Sequence, residues 1–196
     1  MKLPSKSNIP SFAKCLRKLI KIFGDEKIDY MFLGGLALPA YGEIRATQDV
    51  GVAVAITDEQ TLKRLFSKLD KQGFEKTAEP VLKASCMYIL DRENLVDVEI
   101  WLKPSGIKLD QEVLSKRQRR KISDINIWII GPEDFIVNKL SRTDRSTRDE
   151  SDVVSVLIAQ REKLDRKYLE KRAKESGVFS LLLAFEDKVE KVERRL

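Results

Sequence analysis

Residues 30–54 read YMFLGGLALPAYGEIRATQDVGVAV, and their order sets the fold class. The apolar run Asp29–Leu33 enters Gly34-Gly35, which reads as a strand running into a turn. The next residues, LALPAY, suggest a short helix containing Pro39. QDVGVAVAI is valine-rich and bounded by turn-formers, so it reads as a second strand. Asp49 stands on that apolar strand beside Val50 and Val52, where an unpartnered carboxylate is costly unless it is ligated or hydrogen-bonded. Gly51 follows two positions later, on the same strand face as Asp49, and supplies no side chain.

Outward from this stretch, Phe12, Leu16, Leu19, Ile20 and Phe23 recur at helical spacing before Gly24, which predicts a helix over 11–23. DEQTLKRLFSKLDKQG predicts another. SCMYIL and LVDVEIWL form a hairpin about Asp91–Asn94, and DINIWII adds a strand. In the second of these strands Asp97 and Glu99 alternate with Val96, Val98 and Ile100. That pattern suits a strand with one solvent face as well as it suits a site. Beyond residue 131 helices are expected over 133–142, 147–160 and 165–176. A last amphipathic helix carries Leu182, Phe185 and Val189, either packed on the rest of the chain or offered to a partner. The expected architecture is α+β: a mixed sheet flanked by helices over residues 1–131, and a helical region over 132–196 packed on it.

Composition narrows the chemistry. The 196 residues contain no histidine, which excludes catalytic triads, histidine metal ligands and imidazole acid-base catalysis. Chemistry must rest on carboxylates, amines, hydroxyls or a metal held by oxygen. Cys15 and Cys86, the two cysteines, are too few for a disulfide framework or a zinc knuckle. No window approaches eighteen apolar residues, and the N-terminus lacks a signal-peptide pattern, so a cytoplasmic protein without a membrane span is expected. The net charge of +6 favours anionic partners such as nucleotides and RNA. Residues 132–196 carry 15 basic and 14 acidic side chains, so the excess lies in the first 131. The run KRQRRK, Lys116–Lys121, reads as a solvated helix end, where cations suit the dipole, in preference to an RNA contact.

A Gly-Gly turn after a strand, Arg45 and Thr47, Asp49 on the next strand and Asp97 with Glu99 on a third together resemble the nucleotidyltransferase superfamily of polymerase-beta type. Thirteen residues lie between Gly35 and Asp49, a separation that suits the family pattern of roughly ten. The segment GPEDFIVNKLSRTDRSTRDESDV also resembles members of the abortive-infection and toxin-antitoxin type, through Lys139, Arg148, Asp149 and Asp152. The resemblance implies that Gly34, Gly35, Arg45, Thr47 and Lys139 bind nucleotide, and that Asp49 and Asp97 are catalytic. It implies metal held by Asp49, Asp97 and Glu99, as Mg2+ or Mn2+, with transfer of a nucleoside monophosphate from an NTP to an RNA or protein hydroxyl. The alternative it leaves is a non-catalytic member that binds a nucleotide, RNA or a cognate partner protein.

The physical requirements are independent of the family. Glycine admits positive φ and lets the backbone approach a triphosphate. Carboxylates at i and i+2 share a strand face, and a third on a neighbouring strand lets the set hold two divalent ions. Arginine grips phosphate bidentately and lysine as a point charge. Each feature has a plainer reading: Gly-Gly as a tight turn, and Arg45 and Lys139 as salt-bridge partners. Gly51 departs from the family pattern, because the second aspartate of the Asp-x-Asp pair is absent.

Overall fold

In the computed structural model the described residues are 8–42, 47, 49–122 and 124–194. Helix α1 (Asn8–Asp25) leads into β1 (Tyr30–Leu33), followed by two 3-10 turns over Gly34–Leu36 and Leu38–Tyr41. Then come β2 (Asp49–Val54), α2 (Glu59–Lys71), β3 (Phe74–Lys76), β4 (Cys86–Asp91) and β5 (Val96–Trp101). The chain continues through α3 (Gln111–Lys116), β6 (Gln118–Ile122) and β7 (Ile125–Ile129) into α4 (Pro132–Leu140), α5 (Thr147–Ala159), α6 (Arg166–Glu175) and α7 (Phe179–Glu193). The strands form one mixed sheet in the order β3-β4-β5-β2-β1-β7-β6.

The valines of β2 decide which face is core. Val50, Val52 and Val54 are fully buried, with Val98 and Ile100 beside them on β5. Helix α1 buries Leu16, Leu19 and Phe23, and packs on α2, β5 and β7. Helix α2 begins where the Asp58 carboxylate accepts from the Thr61 amide at 2.8 Å, and it buries Leu62, Leu65 and Leu69. The opposite parity of the central strands faces out: Asp49 and Asp97 are exposed, and Glu99 is half-buried. A single strand therefore divides core from site by alternation alone.

The helices after residue 131 close over the β1 end of this outer face. Tyr41 is buried against Phe135, with ring centroids 5.5 Å apart, and its hydroxyl donates to the Ile130 carbonyl. Gln160, capping α5, donates to the Tyr41 carbonyl at 2.9 Å. The loop after β5 is held in the same way, since Asn138 donates to the Ser105 carbonyl at 2.9 Å and Ser176 to that of Gly106 at 2.8 Å. Gly106 has φ +68°, and a Cβ there would stand 2.2 Å from Ser141 Oγ and 2.6 Å from Ser141 Cβ. Gly106→Ala is accordingly expected to cost roughly 2 kcal/mol, through both backbone strain and overpacking. Urea unfolding checks this; a loss below about 0.5 kcal/mol, the range of neutral surface changes, would mean that the loop is slack.

The run Lys116–Lys121 requires a correction. Lys116 ends the short helix α3, but Gln118–Ile122 is β6, an edge strand paired antiparallel with β7. Glutamine, arginine and lysine favour helix in isolation, yet pairing with the Ile125–Ile129 strand overrides that preference, and charged side chains are well tolerated on a wet sheet edge.

Candidate active site

β1 and β2 run antiparallel, with Leu33 opposite Gly51, and β2 and β5 run parallel, with Asp49 opposite Asp97 and Gly51 opposite Glu99. The register therefore puts Asp49, Asp97, Gly51 and Glu99 on one face, close to the turn that β1 enters. Gly34 in that turn has φ +64°, a conformation that glycine adopts without strain. A cleft of about 250 Å3 opens there, walled by Gly34-Gly35, Thr47, Asp49, Gly51, Glu99 and Trp101 on one side. Its other wall comes from α4, the α4–α5 turn and the first turn of α5, with Asn138, Lys139, Arg142, Arg148 and Asp149. Asp97 stands beside Asp49 on the exposed rim, outside the lining of the cleft. Arg45 lies outside the described residues.

The acidic side of the cleft is only partly committed. Thr47 Oγ1 donates to Asp49 Oδ1 at 2.8 Å, which fixes the carboxylate, and Oδ2 has no hydrogen-bond partner among the described residues. Trp101 Nε1 donates to Glu99 Oε2 at 2.9 Å. At Gly51 neither conformation nor space demands glycine: an added Cβ would meet Leu33 Cβ at 3.7 Å, an ordinary contact.

The basic side is more tightly bound. Lys139, 5% exposed, donates to Asp149 at 2.6 Å and pairs with Asp152 at 3.0 Å. Asp149 also accepts from the Ser146 amide at 2.9 Å and hydroxyl at 2.8 Å, completing the capping box of α5. Burial pushes the Asp149 carboxyl up, but Lys139 and Ser146 outweigh it and hold the carboxyl down at about 2. Lys139 thus reaches the cleft with its ammonium already engaged. Arg142 grips Asp144 at 3.0 and 3.1 Å and approaches Asp149 at 3.9 Å. Arg148, in the first turn of α5, is exposed and forms no ion pair among the described residues. It is the cleft cation best placed to receive an anion.

Ser105, Asn138, Arg142 and Ser146 were not signalled by the sequence. They lie in turns or on a helix buried nearly all round, where periodicity carries no information about a cleft. Trp101 was legible in principle, because it continues the Asp97, Glu99 alternation by one more step.

A mixed sheet flanked by helices, with carboxylates in register beside a Gly-Gly turn, is that of a nucleotidyltransferase-type protein. The sequence matches over residues 13–196 the family described as nucleotidyl transferase of unknown function (DUF2204), and the chain belongs to that family. No curated protein matches it. Among solved structures, the lincosamide antibiotic adenylyltransferase LnuA, lincomycin-bound, is 19% identical, with 73% of this chain and 94% of that one covered at TM-score 0.52. ANT(2")-Ia in complex with adenylyl-2"-tobramycin is 12% identical, covering 84% and 96% at TM-score 0.54. An antigenic nucleotidyltransferase-like protein from Paracoccidioides brasiliensis is 16% identical, covering 88% and 94% at TM-score 0.50. These likenesses establish the fold.

The donor chemistry tests whether a divalent ion suits this face. Asp49 and Asp97 in adjacent register offer hard oxygen ligands, and water would complete the shell of one Mg2+ or Mn2+. Position 51 adds no side chain to the pair, and among the described residues no three acidic side chains form a ready cluster. By donor chemistry the pair suits a hard divalent ion.

Proposed function

We propose that this protein binds a nucleoside triphosphate with one Mg2+ or Mn2+ in the cleft and transfers its nucleoside monophosphate, slowly, to a hydroxyl of RNA or of a protein. The observation that carries the reading is the parallel register of Asp49 with Asp97, on the face beside the Gly34-Gly35 turn. Asp49 and Asp97 would hold the ion, with Glu99 Oε1 within the same face. When bound, the ion neutralises triphosphate charge and acidifies the acceptor hydroxyl.

The chain's own groups do the rest. Gly34 and Gly35 let the phosphates approach the backbone without a Cβ in the way. Arg148, and Arg142 after exchanging Asp144 for phosphate, would clamp the leaving end. Thr47 keeps Asp49 in one orientation. Slow turnover follows from Gly51, since a single ion must serve where the family pattern provides ligands for a pair.

Gly51 also favours a second reading, in which the protein holds nucleotide without turnover as half of a toxin-antitoxin pair. Calorimetry with each NTP in Mg2+ or Mn2+, beside a pyrophosphate-release assay and label transfer to RNA and protein, separates the two. The expected result is metal-dependent NTP binding, lost in Asp49→Asn, with slow release of pyrophosphate. Binding with no release would leave only the second reading, and no metal-dependent binding at all would overturn both.

A further inference from the structure

The basic run that the cleft does not use, now an edge strand, carries unspent charge. Arg119, Arg120 and Lys121 are exposed consecutive residues of β6, and none is ion-paired among the described residues. Their neighbours are all committed: Arg17 to Asp124 at 2.6 Å, Lys116 to Asp165 at 3.0 Å and Arg117 to Asp29 at 2.8 Å. In the β6–β7 ladder Arg119 lies opposite Trp128 and Lys121 opposite Asn126, so two cations, an indole and an amide share one face.

The indole is prepared for stacking. The Arg117 guanidinium lies 4.7 Å from the centre of the half-buried Trp128 ring, and is pinned by the Tyr30 carbonyl at 3.1 Å and by Asp29. Fixed guanidinium and indole planes are what unpaired bases stack on, and they cost little further ordering. Arg119 and Lys121, two residues apart, sit about 6.6 Å from each other along the strand, a spacing over which successive backbone phosphates can be met. An acidic peptide or an anionic membrane surface would use the charges and leave the guanidinium–indole stack idle.

We infer that the β6–β7 edge, through Arg119, Lys121 and the Arg117–Trp128 stack, binds single-stranded RNA and presents it to the protein. The choice of RNA builds on the reading of the cleft, in which RNA is one source of the acceptor hydroxyl. The binding test uses neither nucleotide nor metal, so its failure would leave the cleft reading standing.

Anisotropy of a short labelled single-stranded RNA, titrated at several salt concentrations, measures the interaction. Arg119→Ser/Lys121→Ser should weaken binding about tenfold and reduce the slope of log affinity against log salt by about 1.4, as two lost phosphate contacts predict for a single strand. Arg119→Lys should keep that slope, and Arg120→Ser, on the opposite face beside the buried Ile127, should change neither affinity nor slope. Trp128→Leu should weaken binding with the slope unchanged, because stacking releases no counterions. In a Trp101→Phe background Trp128 is the sole indole, and its emission should fall as RNA binds. Equal RNA affinity and slope in the double serine variant would overturn the inference and reduce the cations to guards against edge pairing. Polyglutamate binding as tightly as RNA would overturn it as well.

Discussion

Gly51→Asp is expected to yield a protein that melts below the parent without metal and recovers, or exceeds it, when Mn2+ is added. Room for the side chain exists, because the nearest atom to a new Cβ is 3.7 Å away. The penalty is electrostatic. The new carboxylate lies two residues from Asp49 on the same strand face and directly across the ladder from Glu99, and like charges so placed cost roughly 1–2 kcal/mol. A divalent ion converts that repulsion into ligation. At a metal concentration of about a hundred times Kd the stabilisation reaches about 2.7 kcal/mol, enough to reverse the sign. Thermal scans with and without Mn2+ check this, with Gly51→Asn as the uncharged control that should stay indifferent to metal. A melting temperature that falls in the aspartate variant and does not recover would show that this face holds no ion.

Lys139→Ala should destabilise the whole chain by about 3–5 kcal/mol, because it leaves two buried carboxylates facing each other without their shared cation. Asp149 and Asp152 are 6% and 4% exposed, so water cannot take the place of the ammonium. The pH dependence gives a second reading of the same contact. In the fold the Asp149 carboxyl sits at about 2, below its ordinary 3.8. Its contribution is therefore complete above about pH 4 and is lost as the pH falls toward 2. Without Lys139 that depression shrinks, so acid unfolding of the variant should begin at higher pH. Urea unfolding at neutral pH and acid titration followed by circular dichroism test both points. Loss of nucleotide affinity with stability unchanged would return Lys139 to the phosphate-binding role that the family resemblance implies.

The central part of this fold could be read from the sequence because its signals are local. Valines at alternate positions around Asp49, the turn residues about Asp91–Asn94 and the three-and-four spacing of Leu182, Phe185 and Val189 each state their own periodicity. The structure turns these into β2, the β4–β5 hairpin and α7. Two elements were missed where local and non-local preferences conflict. β6 is made of good helix formers and exists because β7 lies beside it. β3 is three residues long and gains its pairing from β4. In the cleft, the residues on β1, β2 and β5 were accessible because strand parity assigns them a face. Arg142 and Ser146 were not, since their position depends on how the α4–α5 turn meets the sheet. The engagement of Lys139 with two aspartates was equally out of reach: its partners at positions 149 and 152 fit a neutralised helix face and a free phosphate ligand alike until the burial is known.

The contacts of Tyr41 make the cleft a joint product of distant parts of the chain. Its hydroxyl rests on Ile130, its carbonyl on Gln160 and its ring on Phe135, so the turn beginning at Gly34 takes its shape from residues more than ninety positions later. The glycine turn and the carboxylate strands cannot be exchanged with those of another protein as a cassette, nor can the helical half drift freely while the first half stays fixed. Substitutions at Phe135 or Gln160, outside the lining of the cleft, are expected to reach the pocket through Tyr41, and a chain shortened before α5 would lose part of one wall of the cleft while keeping Asp49, Asp97 and Glu99.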